Sequence, residues 1–304
     1  MFMSLSYVDT ITLNSDTSAL PNQLINKLVP NLKVIYTDMD GTLLGPGGCL
    51  FKDSKHEFTS TPVHAVLRCH VKGIDIVPVS GRNNKQLRSD SRILGFNNWI
   101  SELGCQIVYN QGEQIVLNTG DIEPLDSTIW EQIQESGVIS LLFNEFPGQL
   151  EYHDPWAQDR ECTHLLRGQI DLSLANKILL ENGFGNLVII DNGKVRRRTQ
   201  RLNSNITDIR AYHLLPRASN KASAVDKDIA LRNIPRNHTI AIGDSCADLQ
   251  LANSVGALFL VRNALRDSVN LLENIHNFNN VFITSQEMGL GWAEVANYFA
   301  DRIL

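Results

Sequence analysis

Cysteine is scarce in this chain. Its 304 residues contain five, Cys49, Cys69, Cys105, Cys162 and Cys246, with no Cys-x-x-Cys pair. An odd, widely spaced set argues against a disulfide framework or a structural zinc site and suits a reducing compartment, so a cytoplasmic location is expected. Long apolar runs are also lacking: none approaches the ~20 residues that a membrane helix needs. The first residues, MFMSLSYVDTITLNSD, have neither the basic start nor the apolar stretch of a secretory signal. Positive charge is in deficit, 27 Lys and Arg against 33 Asp and Glu, for a formal net charge of -6. That balance excludes a general nucleic-acid or anionic-membrane binder. Internal repeats and low-complexity tracts are missing. What remains is an ordinary globular composition, long enough for one large domain or two smaller ones.

Residues 1–30 are polar and weakly patterned and read as an N-terminal extension, with a short helix over 21–29. From residue 31, strands and helices alternate. Leu32–Thr37 reads as a strand, Thr61–Val71 as a helix, Ile74–Val79 as a strand, 83–93 as a helix and 97–101 as a short strand. Pro78 sits awkwardly in the second strand, because proline removes a ladder donor. The alternation predicts an α/β fold with a Rossmann-like, doubly wound parallel sheet. After about residue 103 the pattern changes. CQIVYNQGEQIVLN (105–118) reads as a hairpin, and NLVIIDNGKVRRR (186–198) carries Asp-Asn-Gly as a second hairpin signal. Helices are expected between them at 126–136 and 172–182. This is an α+β module, placed at 119–207 and inserted into a core of 31–118 and 208–304. The core resumes with a helix at 222–233, strands at 238–244 and 257–261 with a short helix between, and a last helix presenting Trp292, Val295, Phe299 and Ile303 on one face.

The chemistry-bearing residues follow the predicted strands. Asp38 and Asp40 end the first, Ser80-Gly81-Arg82 the second, and Gly243-Asp244-Ser245-Cys246-Ala247-Asp248 a later one. Ligands of open parallel sheets bind beyond the carboxyl ends of strands. Two like charges at one strand end repel, and burial makes this worse; a metal, a shared proton or solvent exposure could relieve them. Carboxylates gathered from several strand ends suit Mg²⁺, which favours hard oxygen ligands and keeps water and phosphate in its shell.

Together these segments resemble the haloacid dehalogenase superfamily. The match lies in 38-DMDGTLL-44, in Ser80 at a strand end, in Lys221 within 219-SNKASAV-225 and in 243-GDSCAD-248. The resemblance implies a phosphatase. Asp38 would be the nucleophile and Asp40 the general acid and base, with Ser80 and Lys221 holding the phosphoryl group. Gly41, Thr42, Gly81 and Arg82 would serve substrate binding, although a solvent-facing cap of the next helix is an equal reading of Arg82. Mg²⁺ would be held at Asp38, Asp40 and Asp244, with Asp248 in the metal shell or tying down Lys221. Ala247 stands where members often carry Asn, and Ala222 where glycine is frequent. Lys227 is a rival for the lysine role, but it falls inside the helix.

The stretch 100-ISELGC-105 is similar to the I-x-E-N-G-A segment of the Cof-type branch, whose members carry a cap between the second and third motifs and act mainly on sugar phosphates. HLLPRASNKASAV (213–225) is similar, over a short stretch, to the mannosyl-3-phosphoglycerate phosphatase group. Cap candidates for substrate contact are His153, Asp154, Arg160, His164 and Arg167, with Arg196 and Arg198 on one strand face and Arg197 on the other. A solvated, charge-blunted hairpin edge is the plainer reading of those arginines. The expected partner is a small phosphorylated metabolite. A phosphomutase of the same superfamily and a non-catalytic sugar-phosphate sensor are the competing readings.

Overall fold

The computed structural model describes residues 20–195, 201–267 and 271–303. Among them are twelve strands: β1 (Val34–Thr37), β2 (Asp75–Pro78), β3 (Trp99–Ser101), β4 (Gln106–Tyr109), β5 (Gln114–Leu117), β6 (Leu150–Tyr152), β7 (His164–Gly168), β8 (Leu187–Lys194), β9 (Arg210–Pro216), β10 (Thr239–Gly243), β11 (Ala257–Leu260) and β12 (Val281–Ile283).

The core is a five-stranded sheet in the order β12-β11-β10-β1-β2, parallel throughout. Its strands are short apolar runs because helices cover both faces. Ile35, Ile242 and Phe259 point into one apolar cluster, with Trp292 of the last helix, Met288–Ala300. Val34, Tyr36, Ala241 and Leu258 point into the other, against Ala224 and Val225 of the helix Lys221–Leu231. The parallel, doubly wound core expected from the alternation is present. Pro78 fits because β2 has no sheet neighbour on its outer side. Asp75 and Val79 donate inward to Lys33 and Thr37, while Ser80 donates outward to Ile100, so the missing N–H of Pro78 faces away from β1. The N-terminal segment is part of the core from its first described residues: the helix Leu20–Leu28 buries Ile25, and Val29 follows it inward.

The insert supplies an antiparallel sheet, β6-β7-β9-β8, backed by helices Ile129–Glu135, Val138–Glu145 and Leu172–Glu181. The second of these helices is not foreseen from the pattern. The strands β3-β4-β5 form a separate antiparallel sheet, joined to the core by a bridge between Val79 and Ile100. Two expectations need correction. β9 pairs with β7 and β8, so the chain leaves the insert's sheet after Pro216 and not at 208. Asp-Asn-Gly does not turn the chain. β8 runs through it as a bulge, pairing Asp191 with Tyr212 and Lys194 with Arg210, because the Asp191 carboxylate takes the Gly193 N–H at 2.7 Å. No helix among the described residues is long and apolar enough to cross a membrane.

Candidate active site

Because β1 lies between β2 and β10, the three motif-bearing strand ends are neighbours at one sheet edge. The Asp38 N–H donates to Ile242 at 2.9 Å, extending the β1–β10 pairing to the carboxylate itself. Trp292 Nε1 donates to Thr37 Oγ1, and that hydroxyl donates to the Asp38 carbonyl at 2.8 Å. The first acid is thus fixed by its own strand and by the last helix.

Lys221 opens a helix capped by Asn220, whose side chain accepts from Ser223. Its ammonium lies 2.6 Å from Asp38 Oδ1 and 2.7 Å from Asp248 Oδ1. All three groups are nearly buried. Burial pushes the Asp38 carboxyl up to about 6; Lys221 opposes this, and Asp248 and Asp40 add to it. Burial alone would deprotonate Lys221, but Asp248 and Asp38 outweigh it and raise the lysine above its usual range. One ammonium shared by two carboxylates leaves the Asp38 charge only partly compensated. Lys227 is not a rival: its ammonium donates to the Leu117 carbonyl at 2.8 Å.

Asp248 ties down Lys221, one of its two expected places. Its Oδ1 holds Lys221, and its Oδ2 accepts from the Asp244 and Ser245 N–H groups and, at 2.6 Å, the Ser245 hydroxyl. Its carboxylate thus holds both the lysine and the loop. Asp244 leans over Gly41. A Cβ there would stand 2.4 Å from Asp244 Oδ2, and φ of +87° already calls for glycine. Asn263 clasps this pair. Its amide donates to the Gly41 carbonyl at 3.0 Å and approaches Asp244 Oδ2 at 3.4 Å, while its oxygen accepts from Met288. Nothing in the local sequence marks Asn263, which arrives from the loop after β11. Thr42 is fully buried and its hydroxyl has no partner.

Asp40 is the exposed member of the first pair. Arg82 grips it with Nε at 2.9 Å and a terminal nitrogen at 2.6 Å, while the other terminal nitrogen holds Asp90 at 2.5 Å. Arg82 therefore touches on both readings, reaching the first pair's exposed acid with two nitrogens and the following helix, Asn84–Leu94, with the third. A divalent cation fits the donor set. Asp38 and Asp244 are hard oxygen donors, and the charge beside Asp38 is under-compensated. Among the described residues no three His, Cys, Asp or Glu side chains close on one point. A cation would rest on two carboxylates and the Asp40 carbonyl, its shell completed by water and phosphate.

The motif-two loop is held from the insert's side. Glu102, fully buried, accepts from the N–H groups of Glu161, Cys162 and Thr163 and from the Thr163 hydroxyl at 2.8 Å. Its own N–H donates to Arg82, and Leu103 donates to Ser80. Glu102, Leu103 and Gly104 all have left-handed φ, and a Cβ on Gly104 would stand 2.2 Å from the Asn220 carbonyl. One turn therefore touches the serine loop, the insert and the residue before Lys221. Arg160, expected at the substrate, spends its guanidinium on the Gly81 carbonyl (3.1 Å from both terminal nitrogens), the Trp156 carbonyl and Thr163. It latches insert to core. His164 stacks on Trp130 at 4.5 Å and hydrogen-bonds the Trp130 carbonyl, a packing role. Arg167 pairs with Glu151 at 2.6 Å. Asp154 is exposed. Arg196, Arg197 and Arg198 lie outside the described residues.

A family model for haloacid dehalogenase-like hydrolases matches residues 35–281. The chain belongs to this family. It is 22% identical over 275 residues to phosphoglycolate phosphatase 1 of Saccharolobus solfataricus, covering 90% of this chain and 96% of that one. It is 24% identical over 267 residues to a phosphoglycolate phosphatase of Methanococcoides burtonii, covering 88% and 96%. The sucrose-phosphatase of Synechocystis sp. PCC6803, solved with sucrose and phosphate, superposes with a TM-score of 0.59 at 16% identity, over 88% of this chain and 98% of that one. That last likeness speaks for the fold.

Proposed function

We propose that this hydrolase is a Mg²⁺-dependent phosphatase that cleaves a small phosphorylated metabolite, a sugar phosphate in preference to other esters, through an aspartyl-phosphate intermediate. The observation that carries the reading is the buried Asp38 carboxylate, 2.6 Å from Lys221, with a second acid two residues on. Asp38 attacks phosphorus as the bond to the leaving oxygen breaks. Asp40, near the surface, delivers a proton to that oxygen and then takes one from the water that cleaves the acyl phosphate. Lys221 and Ser80 hold the equatorial oxygens, with the backbone at Gly41 close by. Mg²⁺, held by Asp38, Asp244 and the Asp40 carbonyl, would supply the charge that lets an anionic ester approach an anionic nucleophile. Release of Asp40 from Arg82 frees both groups for substrate.

Phosphatase names among the relatives support the reaction class. They support the substrate less, since a phosphoglycolate and a sucrose phosphate differ in everything except the ester. The test is inorganic phosphate release from sugar phosphates, phosphoglycolate, phosphoglycerates and nucleotides, with Mg²⁺ and with chelator. Release from at least one ester, abolished by chelator, is expected. No release from any would contradict the reading and turn attention to phosphoryl transfer without release, as in a mutase.

A further inference from the structure

Alternation along β7 and β9 sends Leu166, Tyr212 and Leu214 into the insert's own core. Arg167 and His213 therefore face the other way. His213 is 1% exposed, yet its Nδ1 has no hydrogen-bond partner. Its Nε2 lies 3.3 Å, and the Asn192 amide nitrogen 3.1 Å, from where a Cβ on Gly81 would stand. Burial, then Arg160, His153 and Lys221, holds the imidazole well below its usual pKa and keeps it neutral. The ring stands over the serine loop, on the side from which the insert covers the core.

A packing role explains this poorly. A buried ring nitrogen without a partner is a cost that an apolar side chain of similar size would not carry. The charged neighbours are already engaged: Arg167 with Glu151 at 2.6 Å, and Arg160 with the Gly81 carbonyl. Among the described residues on this face, His213 and Asn192 offer neutral hydrogen bonds. A neutral imidazole donates from one nitrogen and accepts at the other, matching a hydroxyl, which does both; a carboxylate only accepts.

Building on the phosphatase reading, we propose that His213 determines specificity: it hydrogen-bonds a hydroxyl on the leaving group of an ester held by Asp38, Ser80 and Lys221. It thereby favours sugar- or polyol-type esters over carboxylate-bearing ones. The test compares wild type, His213→Ala and His213→Gln on glucose 6-phosphate, phosphoglycolate and p-nitrophenyl phosphate, with melting midpoints measured alongside. Expected for His213→Ala is a rise in KM for glucose 6-phosphate of about tenfold or more, partly restored in His213→Gln, with less than about threefold change on p-nitrophenyl phosphate. Equal losses on both esters, or no loss on either, would overturn it. So would a wild type that cleaves p-nitrophenyl phosphate and phosphoglycolate but no sugar phosphate. A wild type inactive on all three esters would instead contradict the phosphatase reading itself. If His213→Ala does not fold, the same KM comparison on His213→Gln decides, since a mild loss confined to glucose 6-phosphate is then expected.

Discussion

The core's catalytic edge and the insert's underside both bury polar groups, and they do so differently. At the edge, charges are gathered and set against each other: Lys221 between Asp38 and Asp248, Arg82 between Asp40 and Asp90. On the underside, the charged pairs are closed and a neutral imidazole is left without a partner. A poised imbalance of charge suits bond-making at phosphorus, which any phosphate ester presents. Neutral, directional groups suit recognition of what the phosphate is attached to. The turn Glu102–Gly104 joins the two regions, because it holds the serine loop with its backbone and the insert with its carboxylate.

The largest effect that would break this contrast is at the shared lysine. Lys221→Met leaves two buried carboxylates facing each other, so activity should fall by about a hundredfold or more and stability by roughly 3–5 kcal/mol. Phosphate release and urea unfolding measure the two, and a stable, active variant would mean that the edge is not charge-poised. Glu102→Ala comes next. It strands two buried N–H groups and a half-buried one and should cost about 2–4 kcal/mol, with a fall in kcat on every ester, since it acts through the serine loop. A change confined to one ester would place Glu102 with the insert's recognition groups instead.

Acid should separate the regions more gently. His164 is held at about 4 by burial, below its unfolded value near 6.5. Between those values the unfolded chain takes up a proton that the folded chain refuses, so stability is lost as pH falls through that window. The His164 share of that loss from pH 7 to 5 should be roughly 2 kcal/mol, with the similarly depressed His213 adding to it and the raised Asp38 carboxyl opposing it. Unfolding midpoints at the two pH values, in wild type and His164→Phe, give the readout; an equal loss in both would clear His164. The smallest expected effect is on stability in Arg82→Ala. Its pair with Asp40 is half-exposed and contributes about 1 kcal/mol or less, while turnover changes through Asp40.

The core edge was legible because each of its groups follows a strand within a few residues of a recognisable pattern. Asp38 and Lys221 touch, and Asp40, Ser80 and Asp244 follow the ends of three neighbouring strands. Asp248 was left between the lysine and the metal shell because spacing gives position along a helix but not which lone pairs are already occupied. Asn263 and His213 were missed for a different reason. Asn263 reaches Gly41 across 222 positions, and His213 reaches Gly81 only through the register of β9 on β7. Asn263 carries no local signal; His213 opens the stretch 213–225, whose resemblance points to its lysine and not to the imidazole. Arg160 looked like a substrate group because a cation in an insert suggests an anion, whereas its partner is a backbone carbonyl. The Asp-Asn-Gly bulge misled similarly, since the same residues serve turns and bulges alike.

The most direct test of the central claim, that Asp38 is the attacking group of a phosphatase, is phosphate release by Asp38→Asn beside wild type, with melting midpoints compared. The variant should keep its midpoint within a few degrees, because burial already disfavours the charge it removes. Its turnover should fall by about a thousandfold or more. A folded Asp38→Asn protein that releases phosphate at near wild-type rate would contradict it.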